Sequence, residues 1–416
     1  MNDFDVAVVG AGIVGMSAAL WVQMRGQKVV LIDPASPGSG TSSGNACTLA
    51  TYACLPSNDP SVLSSLPRLL FSRNSALSIS WQHALSHPRW MLSFLANCRT
   101  QPSREIAGNL AGLLAHADAG LNALIDEAQA QDLLVARGQL SVWSTVVGAR
   151  HSAAGLSVRR ELGIEFEELT AAEVHDLEPS LALPVEKGVF YPQARHVLDP
   201  EKLVRRFHTR FTVLGGVTLP EKVSRTRASG HGVEITAGAQ TVTAGRVVIA
   251  AGAFSRNIAG AGTARLPLGC ERGYHLLYAG EAHRISRPVG WSEGGFYAVP
   301  MAKGLRLAGT VEIAALDAPA NPSRLSYLAR RGNEFFGPLP TPNETWLGFR
   351  PTMPDSLPVL GVSPTSDRII YAFGHQHLGL TLGGISGRIV ADLVEGRQPT
   401  MPIEAYRPDR RYARIR

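Results

Sequence analysis

Two hydrophobic periods divide this chain of 416 residues. Residues 4–9 (FDVAVV) form a nearly unbroken apolar run of strand length, which predicts a strand buried on both faces of a parallel sheet. A small-residue helix follows the turn Gly10-Ala-Gly-Ile-Val-Gly15 and runs to about Arg25. A second apolar run, Lys28 to Ile32, closes at Asp33. Residues 60–135 then place apolar side chains three and four apart, notably over LLFSRNSALSISWQHAL and IAGNLAGLLAHADAGLNALIDEAQ, and predict helices. Residues 135–195 and 264–346 alternate instead and predict short strands, among them 273–279 and 304–311. A strand-rich passage from Gly216 leads to another buried parallel strand over Arg246–Ala251. The last such strand, Arg368–Phe373, precedes Gly374-His375-Gln376-His377-Leu378-Gly379 and a helix to about Glu395.

The first unit is a complete strand–turn–helix–strand. Its first glycine permits the turn, its second lets the backbone approach a pyrophosphate, and its third lets helix and strand pack closely. Gly10, Gly12, Ile13, Val14 and Gly15 are the candidate phosphate-binding residues, because a helix N-terminus offers unpaired N–H groups. Asp33 stands where a carboxylate accepts bonds from a ribose. After it comes a turn-rich stretch, residues 37–45 (PGSGTSSGN), instead of a further strand–helix unit. A nucleotide domain split by long insertions suits FAD better than NAD. The expected fold class is α/β plus α+β. A discontinuous Rossmann-like FAD domain (1–60, 196–263 and 347–416) is joined to a substrate domain (61–195 and 264–346) built on an antiparallel sheet with helices.

Composition narrows the function class. Glycine, at 42 residues, exceeds the roughly 7% usual in globular chains, as close backbone approach to a nucleotide requires. The net charge of +6 comes without lysine runs or basic–aromatic interleaving, so a nucleic-acid partner is not expected. Arginine is dense only from Arg407 to Arg416, which reads as a solvated tail. The four cysteines, Cys47, Cys54, Cys98 and Cys270, share no metal or disulfide spacing and fit a reducing compartment. The apolar pattern begins directly after Met1-Asn2-Asp3, and no apolar run approaches the ~20 residues that span a bilayer. A cytoplasmic location is expected, compatible with peripheral contact at the cytoplasmic side of the inner membrane. The segment Trp90–Leu95 reads either as a membrane-facing patch or, more simply, as core.

Several motifs carry a resemblance. Trp346-Leu-Gly-Phe-Arg-Pro-Thr-Met-Pro-Asp-Ser-Leu-Pro-Val-Leu-Gly361 resembles the W-x-G-x-R-P-x-T-P-D-G-x-P-x-x-G signature of the FAD-dependent D-amino-acid oxidase superfamily, which includes glycine oxidase, sarcosine oxidase and the D-amino acid dehydrogenases. Gly374-His375 with Leu378-Gly379-Leu380-Thr381 is similar to the superfamily's flavin loop. Thr41-Ser42-Ser43-Gly44-Asn45-Ala46 is similar to the dehydrogenases' T-S-x-x-N-A-G segment, with Cys47 standing where they have glycine. Ala250-Ala251-Gly252-Ala253 resembles the turn after the third strand. The loop GHQHLGLT, with Glu271-Arg272-Gly273-Tyr274-His275, most resembles the D-hydroxyproline dehydrogenase branch, and His377 replaces an arginine of glycine oxidase.

The resemblance implies a function and a site. The activity would be dehydrogenation of a D-amino or D-imino acid, cis-4-hydroxy-D-proline or D-proline preferred, with electrons passing to a quinone or another acceptor. Glycine or sarcosine oxidation by oxygen is the alternative, and a flavin-carrying subunit of a larger complex is another. Homo- or hetero-oligomers are compatible with either. Non-covalent FAD would contact Gly10, Gly12, Ile13, Val14, Gly15, Asp33, Thr41, Ser42, Ser43, Asn45, Ala46, Cys47, Val223, Ala251, Gly252, Arg350, His375, Gly379, Leu380 and Thr381. Arg350 is the candidate carboxylate clamp, since a guanidinium fork meets a carboxylate with two parallel bonds; an interdomain ion pair is its blander role. Tyr297, Tyr274, His275 and His377 are candidate pocket residues, and each could equally be scaffold. No acid or base is assigned; Glu271 and Glu293 are the first carboxylates to examine.

Overall fold

The computed structural model describes residues 2–63, 75–80 and 85–412. Its eight-stranded sheet places Phe4–Val9 between Val29–Ile32 and Gln240–Ile249, both parallel to it. Val217–Leu219 extends the sheet on one side, and Ser366–Phe373 pairs with Gln240–Ile249 on the other. These parallel strands read as apolar runs because their alternate side chains enter two different cores. Val6, Val8, Leu31 and Val248 meet the helices, while Ala7, Val9, Val30 and Val247 meet the antiparallel strands around Val233 and Ile235.

The first helix, Ile13–Met24, and the last, Gly379–Val394, cover the helical face. They approach closely because Gly387 has no side chain: a Cβ there would lie 2.7 Å from the Ser17 backbone. The helices Thr100–Leu114 and Ala117–Glu127, expected with the insertion, pack here too. Leu110, Leu113, Leu121 and Leu124 share this core.

The second, nine-stranded sheet carries the other half of the cavity. The strand Glu344–Thr352 pairs antiparallel with Gly269–Tyr278 from Gly269–Thr352 to Leu277–Glu344. The expected boundary at residue 347 therefore falls inside a continuous strand. Gly304–Ile313 lies on the other side of Gly269–Tyr278 and also pairs with Leu77–Ile79. Those three residues were expected in a helix; a strand this short carries no period that separates it from one. Residues 69–74 and 81–84 of that expected helix lie outside the described residues.

Trp90 stacks on Phe94 at 5.4 Å between ring centroids and covers Gly269, whereas Leu92 beside it is 60% exposed. The arginine-rich end departs from a wholly solvated tail. Arg407 and Arg411 are exposed, but Arg410 forks onto Asp355 at 2.8 and 3.1 Å with both side chains buried. Arg414 and Arg416 lie outside the described residues. Among the described residues no helix is long and apolar enough to cross a membrane, and no cluster of histidine, cysteine or acidic residues could hold a metal.

Candidate active site

A cavity of about 1120 Å³ runs from the glycine turn of the first sheet to the face of the second. At its first end Gly10 holds φ +107°, and a Cβ there would lie 2.5 Å from the Ala250 carbonyl oxygen. The first helix, preceded by Gly12, has no cap from its own N-cap residue and no acidic residue in its first turn, so its positive end faces the cavity. Asp33 is fixed by two backbone amides, accepting from Ala11 at 2.7 Å and Ala35 at 2.8 Å. Val14, Val223, Ala251 and Gly252 complete this wall. Thr41, Ser42, Asn45, Ala46 and Cys47 line the middle, where Ser42 accepts from the Ile13 N–H at 2.9 Å and the Thr41 hydroxyl donates to the Phe349 carbonyl at 3.0 Å. Cys47 has φ +57°, the left-handed conformation in which glycine is at ease. Its Sγ is buried 3.3 Å from the Arg306 guanidinium and 3.5 Å from the Met301 sulfur.

The far end is built on the second sheet. Arg350 lies across Gly273, where a Cβ would sit 2.4 Å from Nη2, and Nη1 donates to the Thr310 carbonyl at 3.0 Å. Thr310 itself sits at φ +58°, unusual for a β-branched residue, next to a bulge opposite Gly273. Burial holds the Arg350 guanidinium below its usual affinity for a proton, and Glu271, directly across the strand pair, offsets part of that. The Tyr297 ring covers Gly290, and on the same cavity the Tyr52 ring stacks on Tyr191 at 3.9 Å. His377 is exposed on the cavity wall. Burial first, then the Arg350 charge, lowers it to about 4, so it is neutral at pH 7. Gly379 and Leu380 open the last helix at the cavity wall, again without a side-chain cap.

A family model described as FAD dependent oxidoreductase (DAO) matches residues 5–393. The chain belongs to this family. Its cofactor is FAD. The chain is 31% identical to a D-amino-acid oxidase of Bradyrhizobium diazoefficiens, covering 97% of this chain and 98% of that one. It is 28% identical to D-amino acid dehydrogenase 2 of Ralstonia nicotianae, over 97% and 99% of the two chains. Its fold is similar to that of glycine oxidase from Geobacillus kaustophilus, with a TM-score of 0.78 at 22% identity over 98% and 99% of the chains. L-proline dehydrogenase from P. horikoshii gives a TM-score of 0.72 at 17% identity over 98% and 97%.

The geometry fits FAD: a helix N-terminus with no acidic residue in its first turn for the pyrophosphate, an oriented carboxylate for the ribose, and a second, uncapped helix at the far end. Several expected contacts go elsewhere. Gly15 packs against the Gly10 carbonyl behind the turn, since its space is filled by the fold itself. The Ser43 hydroxyl turns back to the Ser39 and Gly40 carbonyls and is off the wall. Thr381 is absent from the wall because its hydroxyl accepts from the Ala50 N–H and reaches the Thr48 carbonyl. His275 is scaffold: it stacks on Trp346 at 5.1 Å, and its Nδ1 pairs with the Gly44 carbonyl. Tyr274 reaches the wall, but its hydroxyl is committed to Glu312 at 2.5 Å and to the Asn321 N–H. His375 reaches the wall with Nε2 on Ser386 at 2.8 Å. Glu293 lies off the wall, bound to the Ser144 and Thr145 amides at the start of Val146–Glu161. Tyr52, Trp143, Arg159, Tyr191 and Thr310 line the cavity unforeseen. They come from separate loops and elements that only the folded sheet brings together, so no local spacing announces them.

Proposed function

We propose that this chain oxidises D-amino or D-imino acids at Cα, with cis-4-hydroxy-D-proline or D-proline preferred, and passes the electrons to a quinone or another acceptor. The observation that carries this reading is Arg350, a half-buried guanidinium held by one carbonyl at the far end of the cavity that opens on the FAD-type turn. A cation on a cavity wall with unspent donors calls for an anion, and a substrate carboxylate supplies it. Tyr297 would share that carboxylate, and the neutral His377, standing for an arginine of glycine oxidase, would leave room for a ring and remove a charge. The relatives named for D-amino acids favour the D series.

FAD supplies the hydride acceptor. The chain's part is to hold the carboxylate, fix Cα and exclude water; Tyr52, Trp143 and Tyr191 give the wall an aromatic surface. We read the FAD as non-covalent, because the Cys47 sulfur is packed against Arg306 and Met301. Turnover of cis-4-hydroxy-D-proline, D-proline, glycine and sarcosine, each with a soluble quinone under argon and with air alone, tests the reading. It predicts quinone reduction with the D-imino acids and little peroxide in air. Turnover confined to glycine or sarcosine, with peroxide released in step, would transfer the chain to the amine-oxidase alternative.

A further inference from the structure

An α-amino acid in water carries its nitrogen as an ammonium, which has no lone pair to form C=N while hydride leaves Cα. The proton needs a destination. Among the described residues two carboxylates line the cavity, Asp33 and Glu271. Asp33 is at the nucleotide end, occupied by two backbone amides. Glu271 is at the other end, paired in register with Arg350, and directly opposed residues of an antiparallel pair project from the same face. Gly273, over which the Arg350 guanidinium lies, is the next residue on that face.

We propose that Glu271 receives the substrate's ammonium. It pairs with the cation while Arg350 pairs with the carboxylate, and it takes one proton from nitrogen before hydride transfer. The proposal rests on the reading of this cavity as an amino-acid site. In the step an N–H bond breaks and an O–H bond forms on Glu271. The freed nitrogen pair becomes the second bond of C=N as the Cα–H pair leaves as hydride. The substrate loses two electrons to FAD, and the Glu271 proton passes to water when product departs.

The surroundings suit this duty. Glu271 is buried, and burial raises its affinity for a proton more than the Arg350 charge and the Thr352 hydroxyl lower it. Cys270 precedes it; Arg272 faces Glu312 of the adjacent strand at 3.4 Å, and His377 adds no charge at neutral pH. A carboxylate in such a place is a better proton acceptor than a solvated one.

The test compares FAD-loaded wild type, Glu271→Gln and Glu271→Asp. Anaerobic reduction by D-proline is followed across pH, and pyrrole-2-carboxylate, which has no basic nitrogen, is titrated against the flavin spectrum. Glu271→Gln should slow reduction at least 100-fold at pH 7 and recover roughly tenfold per pH unit as the free amine becomes available in solution. It should bind pyrrole-2-carboxylate at least as tightly as wild type, while Glu271→Asp restores much of the rate. A Glu271→Gln pH profile parallel to wild type would overturn the proposal, as would equal weakening of D-proline and pyrrole-2-carboxylate. If Glu271→Gln does not hold FAD, Glu271→Asp decides: its acid limb must move, and an unmoved limb overturns the proposal. Wild type that no D-amino acid reduces would instead overturn the function itself, a failure visible before any variant is made.

Discussion

Arg350 concentrates most of the chemistry in one side chain. Its guanidinium lies across Gly273 and opposite Glu271, so on the proposed reading removing it leaves a carboxylate uncompensated as well as the substrate unclamped. Arg350→Met should therefore cost about 3–4 kcal/mol of transition-state binding, on the order of 10²–10³ in kcat/KM, with FAD content retained; steady-state kinetics and the flavin-to-protein ratio check both halves. Cys47 gives a second residue-scale expectation. All flavin should appear in the supernatant after acid precipitation, from wild type and from Cys47→Ala alike. The place of Arg350 on the cavity wall follows from a contiguous motif, Trp346–Gly361, whose opening residues to Thr352 lie on one strand. The committed states of His275, Tyr274 and Thr381 were not. Their partners Gly44, Glu312 and Ala50 come from distant segments, and a sequence does not show which hydroxyl or imidazole is already taken.

Elements buried on both sides were the easiest to read. Phe4–Val9, Val29–Ile32 and Ser366–Phe373 announce themselves because two cores demand unbroken apolar runs, Val6–Val9, Val29–Ile32 and Ile369–Phe373. Leu77–Ile79 did not, being an edge pairing of three residues whose order comes from Gly304–Ile313. The C-terminal segment was also misjudged in part. Arg410 reaches back to Asp355, within the motif that follows Arg350, and also donates to the Leu357 carbonyl at 2.8 Å. This buried pair pins the segment after the clamp strand to the chain's end. Arg410→Ala should destabilise by about 3–5 kcal/mol, since it strands the Asp355 charge. Asp409→Asn, which removes only the exposed partner of Arg407, should change stability by less than about 1 kcal/mol. Denaturant unfolding of the two variants measures the contrast.

Across the whole molecule, buried neutral histidines tie stability to pH. His196 is lowered to about 4, and His275 and His375 to about 3, each chiefly by burial. The unfolded chain binds protons at these sites first as pH falls below about 6.5, so their contribution is present at neutral pH and lost progressively toward pH 4, on the order of 1–2 kcal/mol each at pH 5. Glu271, raised in the fold, pulls the other way, and three histidines outweigh one carboxylate. The melting temperature should fall between pH 7 and pH 5. The two periods separate strand-rich from helical stretches, but they do not show how these pack: helices from the insertion seal the first core, and the strand that carries Arg350 belongs to the second sheet. That exchange of segments places the FAD turn and Arg350 on one cavity. Anaerobic mixing of the FAD-loaded protein with D-proline or cis-4-hydroxy-D-proline, read by loss of the flavin absorption band, tests that arrangement most directly. Rapid bleaching by wild type and bleaching at least 100-fold slower by Arg350→Met at the same concentrations is the predicted result. A flavin that no D-amino or D-imino acid bleaches, or that bleaches equally well without Arg350, would contradict the account.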